Sequence, residues 1–251
     1  MQYGVYSHTG KVRKCNEDYY YIPPDGHRGL DIIIVADGMG GHNAGDLASR
    51  TAVEEILRFF ESSRVEIASA DSMKDAIYES IQSANHKVYN LSLTRERFSG
   101  MGTTLTMAIF GNGCAYMGHV GDSRGYLISS DGVRQITRDH SLVQELLDNG
   151  SITRDEFDNH PQKNVITRAL GTEETIRIDY YEINLSDGDI LLLCTDGLVH
   201  HVRLEEYFAG GMPEEQADRI ARKLGDEALS RGGVDNITVI AAKYSSLPEK
   251  R

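Results

Sequence analysis

The stretch that most constrains the fold of this chain runs from Leu30 to His42 and reads LDIIIVADGMGGH. Residues 30–36 carry no turn signal, and their β-branched run is typical of a strand that is buried on both faces. The run stops at Asp37, and three glycines follow within four positions. We therefore expect the strand to end at Asp37. A carboxylate beside glycine residues, which have no side chains to block access, suits a metal ion or a phosphate group. The alternative is a simple Asp-Gly turn that ends a core strand.

Composition and charge limit the class of protein. With 251 residues, of which 40% are hydrophobic, the chain is long enough for one sandwich or barrel with a substantial core. A formal net charge of −12 argues against a nucleic acid or an anionic membrane as partner, so a phosphorylated substrate would need an arginine or divalent cations nearby. Three widely spaced cysteines do not suggest a disulfide framework. Since neither a signal peptide nor a spanning helix is visible, we expect a soluble, cytoplasmic protein.

Hydrophobic periodicity predicts layers of helices and strands, an α+β arrangement, rather than βαβ alternation. Amphipathic helices are predicted over 45–60, 73–93 and 214–229. Strands are predicted within 103–113, 114–129 with an interruption at 121–122, 175–185, 190–194 and 237–244. The polar segment from about 138 to 171 carries short helices and is expected to lie over a sheet edge. In it, Asp139 and Asp155 are expected to be helix-start residues.

Several acids lie beside a glycine or at the edge of a predicted strand: Asp37, Asp122, Asp196 and Asp235, together with Asp18 in the first turn. Clustered ionised carboxylates repel each other, so some would bind protons unless a cation compensates them. Because the set contains oxygen ligands and no Cys/His group, it favours Mg²⁺ or Mn²⁺ over structural Zn²⁺. Spacing alone does not show that these acids converge, and separate turns are the alternative.

Eight motifs carry a resemblance to a known family: HTGKVRKCNED, VADGMGGH, SGMGTT, HVGDSRGY, TRDHSL, HPQKNVITRALG, CTDGL and GVDNIT. In this order they resemble the motifs of the metal-dependent PP2C-type protein phosphatases, above all the compact bacterial serine/threonine phosphatases. The resemblance runs from about residue 4 to about residue 244. It implies an αββα sandwich of two antiparallel sheets flanked by helices. It also implies a single domain over 1–251 with a flap at about 138–171.

The resemblance implies two tightly bound Mn²⁺ or Mg²⁺ ions and the residues that would hold them. Asp37 would be shared by both metals, and the carbonyl oxygen of Gly38 would bind one of them. Asp196 and Asp235 would complete the shell of the other. In this family a pair of divalent cations activates a water molecule that attacks phosphorus directly, with no phosphoenzyme.

The same resemblance gives the other acids weaker or indirect roles. Glu17 and Asp18 would act through metal-bound waters. Asp122, together with Asp196, would hold a third and weaker metal. We expect residues 102–104, from the SGMGTT motif, to have a structural role only.

Two side chains are candidates for contact with the substrate. The resemblance implies that Arg13 binds the substrate phosphate, and this agrees with its guanidinium, a permanently charged planar fork that matches phosphate oxygens. Eukaryotic relatives often carry a histidine directly after the Asp-Gly pair as a proposed general acid, but Met39 stands there in this chain. His42 is the nearest candidate for a catalytic acid or a substrate contact, and a metal-bound water is the alternative.

The expected function is hydrolysis of phosphoserine and phosphothreonine in proteins, in opposition to a bacterial Hanks-type kinase. One alternative is a related phosphatase dedicated to a single regulatory phosphoprotein, such as an anti-sigma-factor antagonist. Another is a pseudoenzyme that binds phosphoproteins without turnover, which predicts lost ligands, although none of the three principal aspartates is missing. We expect a monomer whose partners are phosphorylated proteins, with no nucleic acid and no membrane.

Overall fold

The computed structural model describes residues 1–27, 29–41, 44–63 and 69–246, without the side chains of Ser63 and Asp158. Its strands are β1 (Gln2–His8), β2 (Asp18–Tyr21), β3 (Asp31–Met39), β4 (Gly102–Thr103), β5 (Leu105–Gly111), β6 (Cys114–Val120), β7 (Arg124–Ser129), β8 (Gly132–Gln135), β9 (Asp179–Asn184), β10 (Ile190–Cys194) and β11 (Ile237–Lys243). Its helices are α1 (Ala44–Ser63), α2 (Ala70–Ser92), α3 (Leu142–Asp148), α4 (Arg154–Asp158), α5 (Asp196–Val199), α6 (Leu204–Tyr207) and α7 (Ala217–Ser230).

The strands form two antiparallel sheets. One has the order β1-β11-β10-β7-β8, and the other has the order β2-β3-β5-β6-β9, with β4 paired to the end of β3. Helices α1 and α2 cover the outer face of the second sheet, and α7 covers the outer face of the first. The predicted sandwich of two antiparallel sheets flanked by helices is confirmed.

Three hydrophobic clusters explain the layers. Between the two sheets, Ile33 and Val35 of β3 pack with residues such as Leu193 of β10. On its other face β3 presents Ile34 to α1 and α2, where Ile56 is fully buried. Because β3 is covered on both faces, its sequence is a continuous apolar run rather than an alternating one. The predicted buried strand therefore lies between two hydrophobic cores and contributes side chains to both.

Two predictions about strand limits are wrong. Strand β3 does not end at Asp37 but runs to Met39, and the Asp-Gly pair is part of the strand rather than a turn. The strand continues because its partner changes from β5 to the short β4, which pairs with residues 38 and 39. In contrast, β9 begins only at Asp179, since side chains of α2 bind the preceding backbone: Gln82 donates to the carbonyl oxygen of Ile176 at 2.6 Å.

Backbone pairing closes segment 138–171 near its two ends and joins it to the end of β3 and β4. Ser141 and Ile166 pair as an isolated bridge, and Leu170 pairs with Thr103 beside the end of β3. Short helices form inside the segment, as predicted: Ser141 caps α3, and Thr153 caps α4 with a capping box. Across the described residues, no helix has the length and apolar character needed to span a membrane.

Candidate metal centre and substrate site

The candidate site is built by strand ends from both sheets. Asp18, the first residue of β2, lies directly opposite Asp37 of β3 in the six-stranded sheet. In the other sheet, Asp196 follows β10, Asp235 precedes β11, and Asp122 lies in the turn between β6 and β7. The sandwich therefore delivers the five predicted acids to one region from two independent sheets.

These acids lie close enough for the charge of one to act on the others: Asp18 pairs with Asp37 and bonds to Thr195, the neighbour of Asp196. Burial raises the pKa of Asp37 well above its usual range, and the charges of Asp18 and Asp196 raise it further. Asp122 and Asp235 add smaller effects of the same sign. Asp37 and Asp196 are close enough to share a hydrogen bond. The alternative of separate, unrelated turns does not describe this arrangement.

The two carboxylate oxygens of Asp18 differ in their hydrogen bonding. Its Oδ2 atom accepts hydrogen bonds from the hydroxyls of Thr195 at 2.9 Å and Thr238 at 2.7 Å. Its Oδ1 atom is buried and has no hydrogen-bond partner. Burial raises the pKa of Asp18 to about 7, with contributions from neighbouring carboxylates and against the effect of the two hydroxyls.

The donor set fits a divalent cation. Three buried carboxylate oxygens of the cluster, one each from Asp18, Asp122 and Asp196, lack a hydrogen-bond donor. Buried polar atoms are normally paired, and oxygen-only ligands are those that Mg²⁺ and Mn²⁺ prefer. However, no three acidic, histidine or cysteine side chains in the described part of the chain lie close enough to form a ready-made ligand shell. The residues thus fit the metals in type and burial, but their side chains are not arranged as a closed shell.

Arg13 contacts one of the predicted metal ligands. Its Nη2 atom donates to Oδ2 of Asp235 at 2.8 Å, and about half of the arginine side chain is exposed. Asn236 holds the loop that carries Arg13, because its amide group donates to the carbonyl oxygens of Thr9 and Cys15. The sequence interpretation overlooked Asn236, although the Asp-Asn pair in GVDNIT was the available signal. The structure thus places a partly exposed guanidinium at the rim of the acid cluster.

Glu17 and Gly38 belong to a tightly packed crossing of backbone segments. The amide of Gly38 donates to the carbonyl oxygen of Glu17 at 3.1 Å. A Cβ atom on Gly38 would lie 2.0 Å from the carbonyl oxygen of Gly45, so no larger residue fits without movement. The Glu17 carboxyl accepts a bond from the Gly45 amide, while burial raises its pKa. Close packing therefore explains this glycine, and the metal-ligand role of its carbonyl stays a prediction.

Thr103 and Thr104 do more than begin a strand. The Thr103 hydroxyl donates to the carbonyl oxygen of Asp37 at 3.0 Å. The Thr104 hydroxyl accepts from the amide of Asp37 at 2.9 Å and contacts the Ser123 hydroxyl at 2.7 Å. Together they fix the backbone of Asp37 and connect it to the turn that carries Asp122. The expectation that this segment is only structural therefore left out its direct contact with the site.

A buried ion pair lies beside Asp122. The Arg124 guanidinium donates to the Asp139 carboxylate from Nε, whose single hydrogen is shared between both oxygens at 2.9 Å, and from Nη2 at 2.6 Å. The expectation that Asp139 starts a helix is wrong, because Ser141 caps α3 instead. Asp155 does lie in the first turn of α4, as expected. Burial raises the pKa of Asp122, whereas the nearby Arg124 charge opposes that rise.

His42 lies outside the described residues, so its predicted role stays a prediction. A cavity of about 770 Å³ opens between segment 138–171 and helices α5 and α6, and Asp122 and Asp196 are among its lining residues. Arg154 and Lys163 contribute positive charge to the same cavity. The cavity thus joins the acids to a surface large enough for a peptide segment.

Comparison with known proteins agrees with the motifs. A family model described as Protein phosphatase 2C matches residues 7–230. A serine/threonine phosphatase, stp, from Listeria innocua is 37% identical over 246 residues, which cover 96% of this chain and 95% of the relative. The chain belongs to the protein phosphatase 2C family.

Solved structures support the same assignment. The serine/threonine phosphatase of S. agalactiae is 32% identical with a TM-score of 0.87, covering 98% of this chain and 99% of that one. The catalytic domain of the phosphatase PstP, solved with two manganese ions, is 31% identical with a TM-score of 0.82 and covers 98% of both chains. The predicted fold and enzyme class, a metal-dependent phosphatase of the bacterial PP2C type, are confirmed. These relatives favour a protein serine/threonine phosphatase over the two alternatives, which were a phosphatase dedicated to one regulatory phosphoprotein and a pseudoenzyme.

Proposed function

We propose that this chain hydrolyses phosphoserine and phosphothreonine in proteins, with two Mn²⁺ or Mg²⁺ ions at Asp37, Gly38, Asp196 and Asp235 and a third, weaker ion at Asp122. The observation that supports this most directly is the buried acid cluster with three carboxylate oxygens that lack a donor. Bound divalent cations would neutralise these charges, lower the pKa of a water molecule and stabilise the charge that develops on phosphorus.

The protein's own residues have separable tasks in this proposal. Arg13 binds phosphate oxygens, because about half of its side chain stays exposed while Nη2 contacts Asp235. Thr103 and Thr104 hold the backbone of Asp37 so that its carboxylate does not have to be reoriented during the reaction. Glu17 and Asp18 bind water around the metals rather than the metals themselves.

Segment 138–171 is proposed as the flap that influences substrate access. It forms one wall of the cavity that contains Asp122 and Asp196, and its Lys163 and Arg154 face that cavity. A peptide next to the phosphorylated residue would therefore touch the flap. We further propose, on the basis of the sequence, a cytoplasmic monomer that acts on a Ser/Thr kinase and its substrates.

Phosphate release from a phosphothreonine peptide tests the proposal, with Mn²⁺ and with EDTA. Activity should require Mn²⁺ and should fall by at least about a thousandfold in Asp37→Asn and Asp235→Asn, since each removes a ligand charge from the reacting centre. Asp75→Asn, an exposed change in α2, is the control for loss of one negative charge. Activity that survives chelation, or that survives both ligand substitutions, would contradict the two-metal proposal.

Calorimetric titration with Mn²⁺ separates the roles of the ligands. Asp122→Asn should lower turnover and remove only the weaker binding event, leaving two tight ions bound. Loss of all Mn²⁺ binding in this variant would show that the proposed division of roles is wrong.

A further inference from the structure

We infer that His140 is a positioning residue, which fixes the turn that carries Asp122 through the Nδ1 atom of its imidazole ring. This inference deepens the proposed function and rests on its assignment of Asp122 as a ligand of the weaker metal. His140 belongs to the TRDHSL motif, for which neither the metals nor the phosphate gives a role.

His140 and Gly121 form a reciprocal pair of hydrogen bonds. The amide of His140 donates to the carbonyl oxygen of Gly121 at 2.7 Å, and the amide of Gly121 donates to Nδ1 of His140 at 2.9 Å. Gly121 has a φ of 111°, and a Cβ atom there would lie 2.6 Å from the Thr104 side chain. The residue directly before Asp122 is therefore held from one side by Thr104 and from the other by His140.

The ring of His140 is itself held in one orientation. Since Nδ1 accepts a bond, the proton of the neutral ring is on Nε2, which lies 3.3 Å from Oδ2 of Asp179. Arg168 holds this carboxylate, because its Nη1 atom donates to Oδ1 of Asp179 at 2.9 Å. The same Nη1 atom also lies 2.9 Å from Nε2 of His140, where two donors meet, so Asp179 and not Arg168 orients the ring. The ring of His119 packs at 4.8 Å between centroids. These neighbours leave Nδ1 directed at the turn.

After Asp122 the turn is held by Ser123, whose hydroxyl contacts Thr104 at 2.7 Å and whose carbonyl oxygen accepts from Thr106 at 3.2 Å. Before Asp122 it is held by the bonds between Gly121 and His140. The Asp122 Oδ1 atom is buried without a donor, so its direction depends on the backbone that carries it. If the Nδ1 acceptor is lost, the buried amide of Gly121 loses its partner, which is unfavourable for a donor that water cannot reach. The turn can recover this energy only by moving, and Asp122 then moves with it. Asp37 lies in β3 and Asp235 lies in the loop before β11, and both keep their own contacts.

Two polar substitutions separate the ring atoms. In His140→Asn the side-chain oxygen can occupy the place of Nδ1, whereas His140→Gln places its polar group near Nε2 and leaves the Gly121 amide without an acceptor. We expect His140→Gln to weaken the weaker Mn²⁺ event by about tenfold or more in calorimetric titration, and His140→Asn to stay within about threefold of the wild type. The two tight Mn²⁺ events should be unchanged in both.

His160→Gln is the matched control, because His160 also accepts an amide bond through Nδ1, from Gln162 at 3.2 Å, in the same segment. Circular dichroism melting confirms that each variant is folded. Equal Mn²⁺ binding by His140→Asn and His140→Gln, whether retained or lost in both, would overturn the inference. If Asp122→Asn itself leaves every Mn²⁺ event intact, the assignment of Asp122 fails instead, and the two failures are thereby distinguished.

Discussion

Asp18→Asn is expected to stabilise the protein in a chelator while weakening its binding of metal. The substitution keeps an oxygen that can accept from Thr195 and Thr238, and it removes the charge of a buried carboxylate. Burial raises the pKa of this carboxyl from its ordinary 3.8 to about 7. Because a tenfold change in an acid constant corresponds to about 1.4 kcal/mol, ionised Asp18 lowers the free energy of unfolding by up to about 4 kcal/mol.

The direction of the pH dependence follows from the raised pKa. Folded Asp18 binds a proton more tightly than unfolded Asp18, so its contribution to stability is fully present below the ordinary pKa and is lost as the pH rises through about 7. Above that pH the wild type carries the buried charge, whereas the amide of the variant does not. The difference in stability between the two proteins should therefore be clearly smaller near about pH 5, where the contribution is only partly lost, than near about pH 8, where it is largest.

Urea unfolding at the two pH values, in EDTA and again in saturating Mn²⁺, measures this difference. In EDTA at the higher pH, Asp18→Asn should have the larger free energy of unfolding. In Mn²⁺ the order should reverse, because the wild type gains more stability from bound metal by mass action. Asp75→Asn controls for the change in net charge. A variant that is less stable than the wild type in EDTA at the higher pH would refute the reasoning, since the threonine contacts would then outweigh the cost of the buried charge.

Three further outcomes test other parts of the site. Gly38→Ala should lower the free energy of unfolding by about 1–3 kcal/mol or more, because its Cβ would lie 2.0 Å from the Gly45 carbonyl oxygen. Gly41→Ala is the control, since its Cβ would meet nothing within 4 Å, and equal urea midpoints of the two variants would contradict the packing argument. Arg13→Lys should raise the KM for a phosphopeptide by about tenfold, since an ammonium cannot form the bidentate contact, and an unchanged KM would exclude phosphate binding by Arg13. Exchange of 138–171 with the segment of a relative should alter preference among phosphopeptides, and unchanged preference would end the flap proposal.

The positions of the acids could be predicted from the sequence because each has a local signal. A buried β-branched run and an adjacent glycine mark Asp37, and a second apolar strand followed by Asp-Gly marks Asp196. Local signals also gave helices α1 and α2, whose apolar residues recur with helical spacing. For these residues and helices, the pattern of residues nearby in sequence is enough to predict the local structure.

The failures share a physical cause, which is pairing between distant parts of the chain. Strand β3 continues past Asp37 because β4, more than sixty residues later, supplies a partner. Asp139 binds Arg124 rather than a helix end because β7 and the segment after β8 are brought together by the sheet. The contacts of Thr103 and Thr104 with Asp37 have the same origin. No local pattern reports which hydroxyl or guanidinium will lie beside a given strand.

The distribution of the acids over two sheets ties metal binding to the packing of the whole sandwich. Asp18 and Asp37 belong to one sheet, and Asp196 and Asp235 border strands of the other. The apolar core between the sheets holds the two halves of the site at a fixed distance, since well-packed interiors do not deform continuously. A cation bound by Asp37 and Asp196 would therefore join the sheets directly. Its binding free energy would add to the stability of the entire sandwich rather than to that of one loop, because the unfolded chain cannot bring these two aspartates together.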